Sequence, residues 1–272
     1  MKNTVLACIC SFVVTFSIGI LGMKINQLDN QIQYYSNTKA DSINPLDKPY
    51  DVKMFEKLRD QTVKVSTPEK HSFGSGVTIS TNNGEFVLTC AHIFRLNDDD
   101  DLDYNKQALV FKYIYDENGF IVDEVECFGT VVCYSGALTE YDLALIKLDD
   151  VGFVVNSTVF TKDYLLPVGS IVYHCGNSLN FINTFTRGIV SGIDREVNEL
   201  EFHFDQITAP GAPGSSGCGI YDKHGRLAGI YVKIYNPVFG VIVPIRTIRQ
   251  WADDNGISFI YDPKAVVPDF DE

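Results

Sequence analysis

The stretch "PGSSGCGIYD", residues 213–222, sets Ser215, Ser216 and Cys218 inside a glycine-rich turn that leads into a strand-like run. A serine hydroxyl or a cysteine thiol attacks a carbonyl once a neighbouring base takes its proton. For a serine in a β-rich hydrolase, the hydroxyl must stand at the apex of a tight turn, with backbone N–H groups converging where the oxyanion forms. Glycines permit that shape, and Ser216 has Gly214 two positions before it and Gly217 directly after it. The N–H groups of Gly214 and Ser216 are the pair able to face one point. A Gly/Ser turn without chemistry and a thiol nucleophile at Cys218 are the competing readings.

The partners of such a nucleophile are present elsewhere in the chain. "LTCAHI" (residues 88–93) ends a strand-like run with His92 after the small Ala91, which lets an imidazole emerge from a packed edge. "TEYDLALIKL" (residues 139–148) places Asp142 at the head of an apolar run that buries its root. An imidazole serves as the base, and a carboxylate orients it and stabilises its charged form.

These residues sit among short β-rich segments divided by Gly, Asn and Asp. "SGVTIS", "EFVLTCA", "ALVFKYIY", "GTVVCY", "SIVYHC", "RGIVSGI", "LEFHF", "RLAGIYVKIY" and "GVIVP" are examples. Many short strands with turn residues between them predict an all-β sandwich or barrels. One helical stretch appears late, residues 245–256, stopped by Asn255 and Gly256.

Taken together, "GSGVTIS", "FVLTCAHI", "YDLALIKL", "LPVGSIVYHCGN", "TFTRGIVSGI", "PGSSGCGIYDKHGRLAGIYV" and "GVIVPI" fall in one family's order across residues 63–257. The chain resembles a trypsin/chymotrypsin-like serine peptidase, in the style of the HtrA-type bacterial enzymes and their viral and phage relatives. The chain order His, Asp, Ser is the one that this family uses. The resemblance implies two perpendicular six-stranded β-barrels with a C-terminal helix and a catalytic cleft between the barrels. It implies Ser216 as nucleophile, His92 as general base and Asp142 as its orienting acid, with the N–H groups of Gly214 and Ser216 as the oxyanion hole. Ile230, Tyr231, Val232 and Lys233 would pair with an extended substrate, and Gly240 falls where the family keeps space in the primary specificity pocket.

Departures from the family pattern are informative. Cys218 replaces the second glycine after the nucleophile; viral relatives with a cysteine nucleophile place it where Ser216 stands, so Cys218 reads as a small packed side chain. Ser215 stands where zymogen-activated members keep an aspartate. No carboxylate matches the floor of a trypsin-like pocket, where Pro210 or a neighbour lies, and a PDZ domain is not expected after the body.

Composition sets the outer limits. The net charge of −13 leaves no basic field for a phosphate backbone, which excludes nucleic acid as a partner. Residues 4–23 carry no charge over the length of a bilayer-spanning helix, which predicts an N-terminal membrane anchor or signal segment within residues 1–23. Residues 24–58 read as a helical stalk and polar linker, with apolar spacing at Ile25, Leu28, Ile32 and Tyr35 that would suit a homo-oligomer. Residues 59–260 form the peptidase domain, with the barrel boundary near 155–165, and residues 261–272 a tail. The body is expected outside the cytoplasm, although the odd number of cysteines in it mildly favours free thiols and a reducing compartment, which leaves a cytoplasmic face open. Asn97 to Asp103 reads as a solvated acidic insertion, and no histidine or cysteine spacing fits a metal, so neither metal nor cofactor is expected. The expected function is a membrane-anchored serine endopeptidase acting on protein or peptide substrates. The alternative is a catalytically silent peptide-binding or scaffold protein that keeps the fold.

Overall fold

The computed structural model describes residues 49–270, except 70–71, 83, 97–103, 137–139, 163–164, 197–202 and 237. Of the two units into which the chain divides, Met1–Tyr50 and Asp51–Glu272, the second carries the fold. The expected membrane segment, the stalk and the acidic insertion lie outside the described residues. Among those described, no helix is long and apolar enough to cross a membrane.

Among the described residues, twelve strands build two closed antiparallel barrels. The first holds β1 (Thr62–Ser66), β2 (Phe73–Thr81), β3 (Gly84–Thr89), β4 (Gln107–Tyr115), β5 (Ile121–Tyr134) and β6 (Ala144–Leu148). Its strands close in the order β1, β2, β3, β6, β5, β4. The second holds β7 (Ile171–Gly176), β8 (Thr184–Arg195), β9 (Phe204–Ile207), β10 (Gly219–Tyr221), β11 (Leu227–Asn236) and β12 (Phe239–Pro244), and closes in the order β7, β8, β9, β12, β11, β10. Closure leaves no sheet edge to aggregate. The six-plus-six architecture matches the expectation.

Alternation fixes which side chains go inside, since successive residues of a strand face opposite sides of the sheet. In β11, Tyr231 joins Val172, Val190, Ile207, Cys218, Ile220 and Ile242 in the core of the second barrel, whereas Ile230 and Val232 join the larger core shared with the first. Each fully buried side chain of this kind contributes about 1.5–3 kcal/mol relative to exposure.

Among the described residues, two α-helices flank the barrels. α2 (Ile245–Asp254) buries Ile245, Ile248, Trp251 and Ala252, and ends at Asn255 and at Gly256, whose φ of +69° suits a helix terminus. α1 (Tyr50–Arg59) falls within the stretch expected to be stalk and linker. It buries Met54 and Leu58, sets Phe55 edge-on to Phe185 at 5.5 Å, and accepts the Tyr173 hydroxyl on Asp51 at 2.9 Å. These contacts dock it on β7 and β8. Beyond α2, Phe259 packs tilted and Phe270 edge-on against Phe86 of β3, with centroids 4.9 and 6.0 Å away, so residues after α2 return to the first barrel.

Candidate active site

His92 lies just beyond β3, on a single 3₁₀ turn, Ala91–Ile93. Ala91 and Ile93 are fully buried and anchor that turn, which leaves the His92 side chain 36% exposed. Asp142 sits immediately before β6 and is buried. Its φ of +52° is a left-handed conformation that Asp tolerates better than most residues. The strained backbone is held from both ends: Ala91 N–H donates to the Asp142 carbonyl at 3.2 Å, and Asp142 N–H to the Gly136 carbonyl at 3.1 Å.

The twist aims the carboxylate at His92. One oxygen accepts His92 Nδ1–H at 2.7 Å and the other accepts the His92 backbone N–H at 2.8 Å. With Nδ1 carrying the proton, Nε2 of the neutral ring is the basic nitrogen. Burial opposes the imidazolium, but the charge and hydrogen bond of Asp142 outweigh it, so the His92 pKa is raised above its usual 6.5.

Ser216 comes from the second barrel, in the turn before β10. Gly214 and Gly217 have φ of +96° and +85°. A Cβ on Gly214 would lie 2.7 Å from the Phe73 ring, and one on Gly217 would overlap the Ser75 carbonyl and the Thr89 hydroxyl. Glycine is therefore required at both by backbone angle and by space. Among the described residues, the N–H groups of Gly214 and Ser216 have no hydrogen-bond partner. The single Ser216 hydroxyl proton goes to the Val232 carbonyl at 3.3 Å, a long bond for a hydroxyl.

Ser215 is fully buried; its Oγ pairs with Ser178 Oγ at 2.7 Å and accepts Ala212 N–H at 3.0 Å. A neutral hydroxyl pair thus holds the turn at Ser215. Ser178 carried no sequence signal, since it lies 37 residues from its partner in a separate loop.

A family profile for the trypsin-like peptidase domain matches residues 74–230, more than half of the chain, with His92, Asp142 and Ser216 inside the match. The chain belongs to the trypsin-like peptidase domain family. It is 30% identical over 168 residues to a probable periplasmic serine endoprotease, DegP-like, of Pseudomonas fluorescens, covering 61% of this chain and 30% of that one. A serine protease HtrA-like protein of Staphylococcus haemolyticus is 26% identical over 215 residues, covering 72% of this chain and 30% of the other. The chain thus spans under a third of the length of these relatives. The crystal structure of Deg5 aligns with a TM-score of 0.58 at 23% identity, over 78% of this chain and 96% of that one. The HtrA-type protease AlgW with tripeptide aligns with a TM-score of 0.59 at 22% identity, over 77% and 64%.

For a trypsin-like domain, the remaining expected positions fall as follows. His92 and Asp142 pair with each other on the first barrel, and the Ser216 turn of the second barrel is held against the first by Ser75 N–H donating to the Ser216 carbonyl at 2.7 Å. Val232 presents its carbonyl to Ser216, and Lys233 is exposed with its charge felt at His92. Ile230 and Tyr231 are buried. Tyr231 N–H donates to the Cys218 carbonyl and its own carbonyl accepts Gly217 N–H, at 2.9 and 2.8 Å. The space beside Gly240 is filled by the Tyr231 ring, whose hydroxyl a Cβ on Gly240 would overlap. Gly211 faces the same hydroxyl from the other side, with a Cβ there 2.6 Å from it.

The cysteines of the body are free thiols. Cys218 is fully buried in the second core, and burial pushes its thiol well above the ordinary range. Cys90, His92 and Asp142 bring one thiol, one imidazole and one carboxylate within 4.8 Å of one another, a donor set that suits zinc. Burial and the nearby Asp142 charge raise the Cys90 pKa strongly, and its thiol donates to the Tyr231 carbonyl at 3.2 Å. That protonated state is the non-ligating form.

Proposed function

We propose that this chain is a serine endopeptidase that cleaves extended protein segments through an acyl-enzyme on Ser216. The observation that carries this reading is the engagement of both Asp142 oxygens by His92, with Nε2 left as the basic nitrogen, together with a turn whose Gly214 and Ser216 N–H groups have no hydrogen-bond partner among the described residues. The serine endoprotease names of the relatives support it.

In this reading His92 Nε2 takes the Ser216 proton as Oγ attacks the scissile carbonyl. The carbonyl oxygen becomes an oxyanion held by the N–H groups of Gly214 and Ser216. The imidazolium, stabilised by Asp142, then protonates the leaving amine. Water attacks the acyl-enzyme by the same route, His92 acting as base, and Ser216 is released. The long bond from Ser216 to Val232 is a resting arrangement: a substrate amide N–H that takes the Val232 carbonyl frees the hydroxyl to turn toward His92.

Two substitutions probe parts of this reading. Gly214→Ala forces a side chain into a left-handed backbone against Phe73 and Asn177. It should cut hydrolysis of fluorescein-labelled casein by about 10²–10³-fold, the usual cost of an oxyanion donor. Cys218→Ala should leave casein hydrolysis within about threefold of wild type, because a protonated, buried thiol is inert. Loss of activity in that variant with retained fold would point to a thiol enzyme instead.

We also assign the uncharged residues 4–23 to an N-terminal membrane segment and the body to an extracytoplasmic compartment, a reading supported by the periplasmic designation of the DegP-like relatives. Cell fractionation with protease accessibility of the body tests both.

A further inference from the structure

We infer that Ser75, in β2 of the first barrel, is a positioning residue that keeps the oxyanion turn of the second barrel formed in the resting protein. This rests on the serine endopeptidase reading above.

The turn contains three consecutive peptide planes. The outer two supply the N–H groups of Gly214 and Ser216, and each is pinned by its carbonyl. Pro213 accepts Leu179 N–H at 2.6 Å, and Ser215 accepts Cys218 N–H at 3.0 Å. The middle plane, between Gly214 and Ser215, is pinned at its N–H end by the Ala212 carbonyl, 2.8 Å from Ser215 N. At its other end the Gly214 carbonyl accepts the Ser75 hydroxyl at 2.8 Å. A plane held at both ends cannot rotate, and the two donor planes cannot move independently of the one between them. Of the three carbonyl pins, Ser75 alone is a side chain.

The direction of its hydroxyl follows by elimination. A serine oxygen accepts two hydrogen bonds and donates one. Both acceptor positions are filled by Asn177, from its backbone N–H at 2.8 Å and from Nδ2 at 3.1 Å. The Asn177 amide is itself oriented, since Nδ2 also donates to the Val63 carbonyl at 3.0 Å and Oδ1 accepts Asn183 N–H at 3.2 Å. The one proton of Ser75 therefore goes to Gly214. Ser75 is fully buried, so no water competes for that bond. Its backbone N–H holds the Ser216 carbonyl at 2.7 Å, which gives the residue a grip on both sides of Ser215. The middle carbonyl pin is thus supplied by the barrel that also carries His92 and Asp142.

The test uses the full chain and a fluorophosphonate probe, read as both the rate and the final stoichiometry of Ser216 labelling. For Ser75→Ala we expect a labelling rate about 10–10²-fold lower, part of the loss seen when a whole oxyanion donor is removed. Stoichiometry should remain one per chain. Because the His92–Asp142 pair does not touch Ser75, the acid limb of the labelling rate should stay at its wild-type pH. Ser75→Cys keeps a weak donor on a somewhat larger atom, and should lie between the two; it replaces the alanine variant if that chain does not fold. An unchanged rate in either variant, or reduced stoichiometry with an unchanged rate for the remaining fraction, overturns the positioning role. Absence of labelling in the wild-type chain overturns the hydrolase reading itself, and the positioning role falls with it.

Discussion

Replacing Ser216 with alanine should reduce casein hydrolysis by about 10⁶-fold, to the level left by binding and oxyanion stabilisation alone. The size of the effect follows from the covalent role: without Oγ no acyl-enzyme forms, and the imidazole has nothing to activate but water. His92→Ala should cost about as much, and the double variant no more than either alone, since the two groups act as one unit. Neither change should disturb folding, because Ser216 contributes one long hydrogen bond and His92 is partly exposed. Casein turnover with thermal melts of the three variants checks this. Additive losses would mean that the two residues work separately and that the proposed relay is absent.

Asp142→Asn is the second large effect, a fall of about 10⁴-fold. The amide retains the shape of the carboxylate but not its charge, and its NH₂ group cannot accept Nδ1–H. The imidazole is then free to turn its proton toward Ser216, the wrong tautomer for a base. The pH dependence gives a second readout. Activity requires neutral His92, whose pKa is raised by Asp142, so the acid limb of wild-type kcat/KM should lie above pH 6.5. Removing the carboxylate removes the stabilisation of the imidazolium while the desolvation that opposes it remains, so the limb moves to lower pH. A limb that stays in place after Asp142→Asn would show that another charge sets the His92 pKa.

The proposed reacting groups were legible in the sequence because their signals are local. A histidine behind a small residue at a strand end, an aspartate at the head of an apolar run and a serine between turn glycines each describe their own surroundings. The barrels were legible for the same reason, through short runs with turn residues between them. The contents of the pocket beside Gly240 were not, because they depend on which side of β11 faces inward. β11 meets β12 with Tyr231 opposite Ile242 and a register shift directly after it, and that offset aims the phenol into the space between Gly211 and Gly240. Docking of α1 was also hidden, since its anchors Tyr173 and Phe185 lie more than a hundred residues downstream. Ser75 stood in the quoted "GSGVTIS" run, but its bond to Gly214 spans 139 residues and has no counterpart in local pattern.

The most direct test of the central claim is intact-mass and peptide mapping of the full chain after exposure to a fluorophosphonate. The account predicts one adduct per chain, on Ser216, absent from His92→Ala and formed more slowly as pH falls through the His92 pKa. An adduct on Cys218 or another serine, labelling that persists without His92, or no adduct would contradict it.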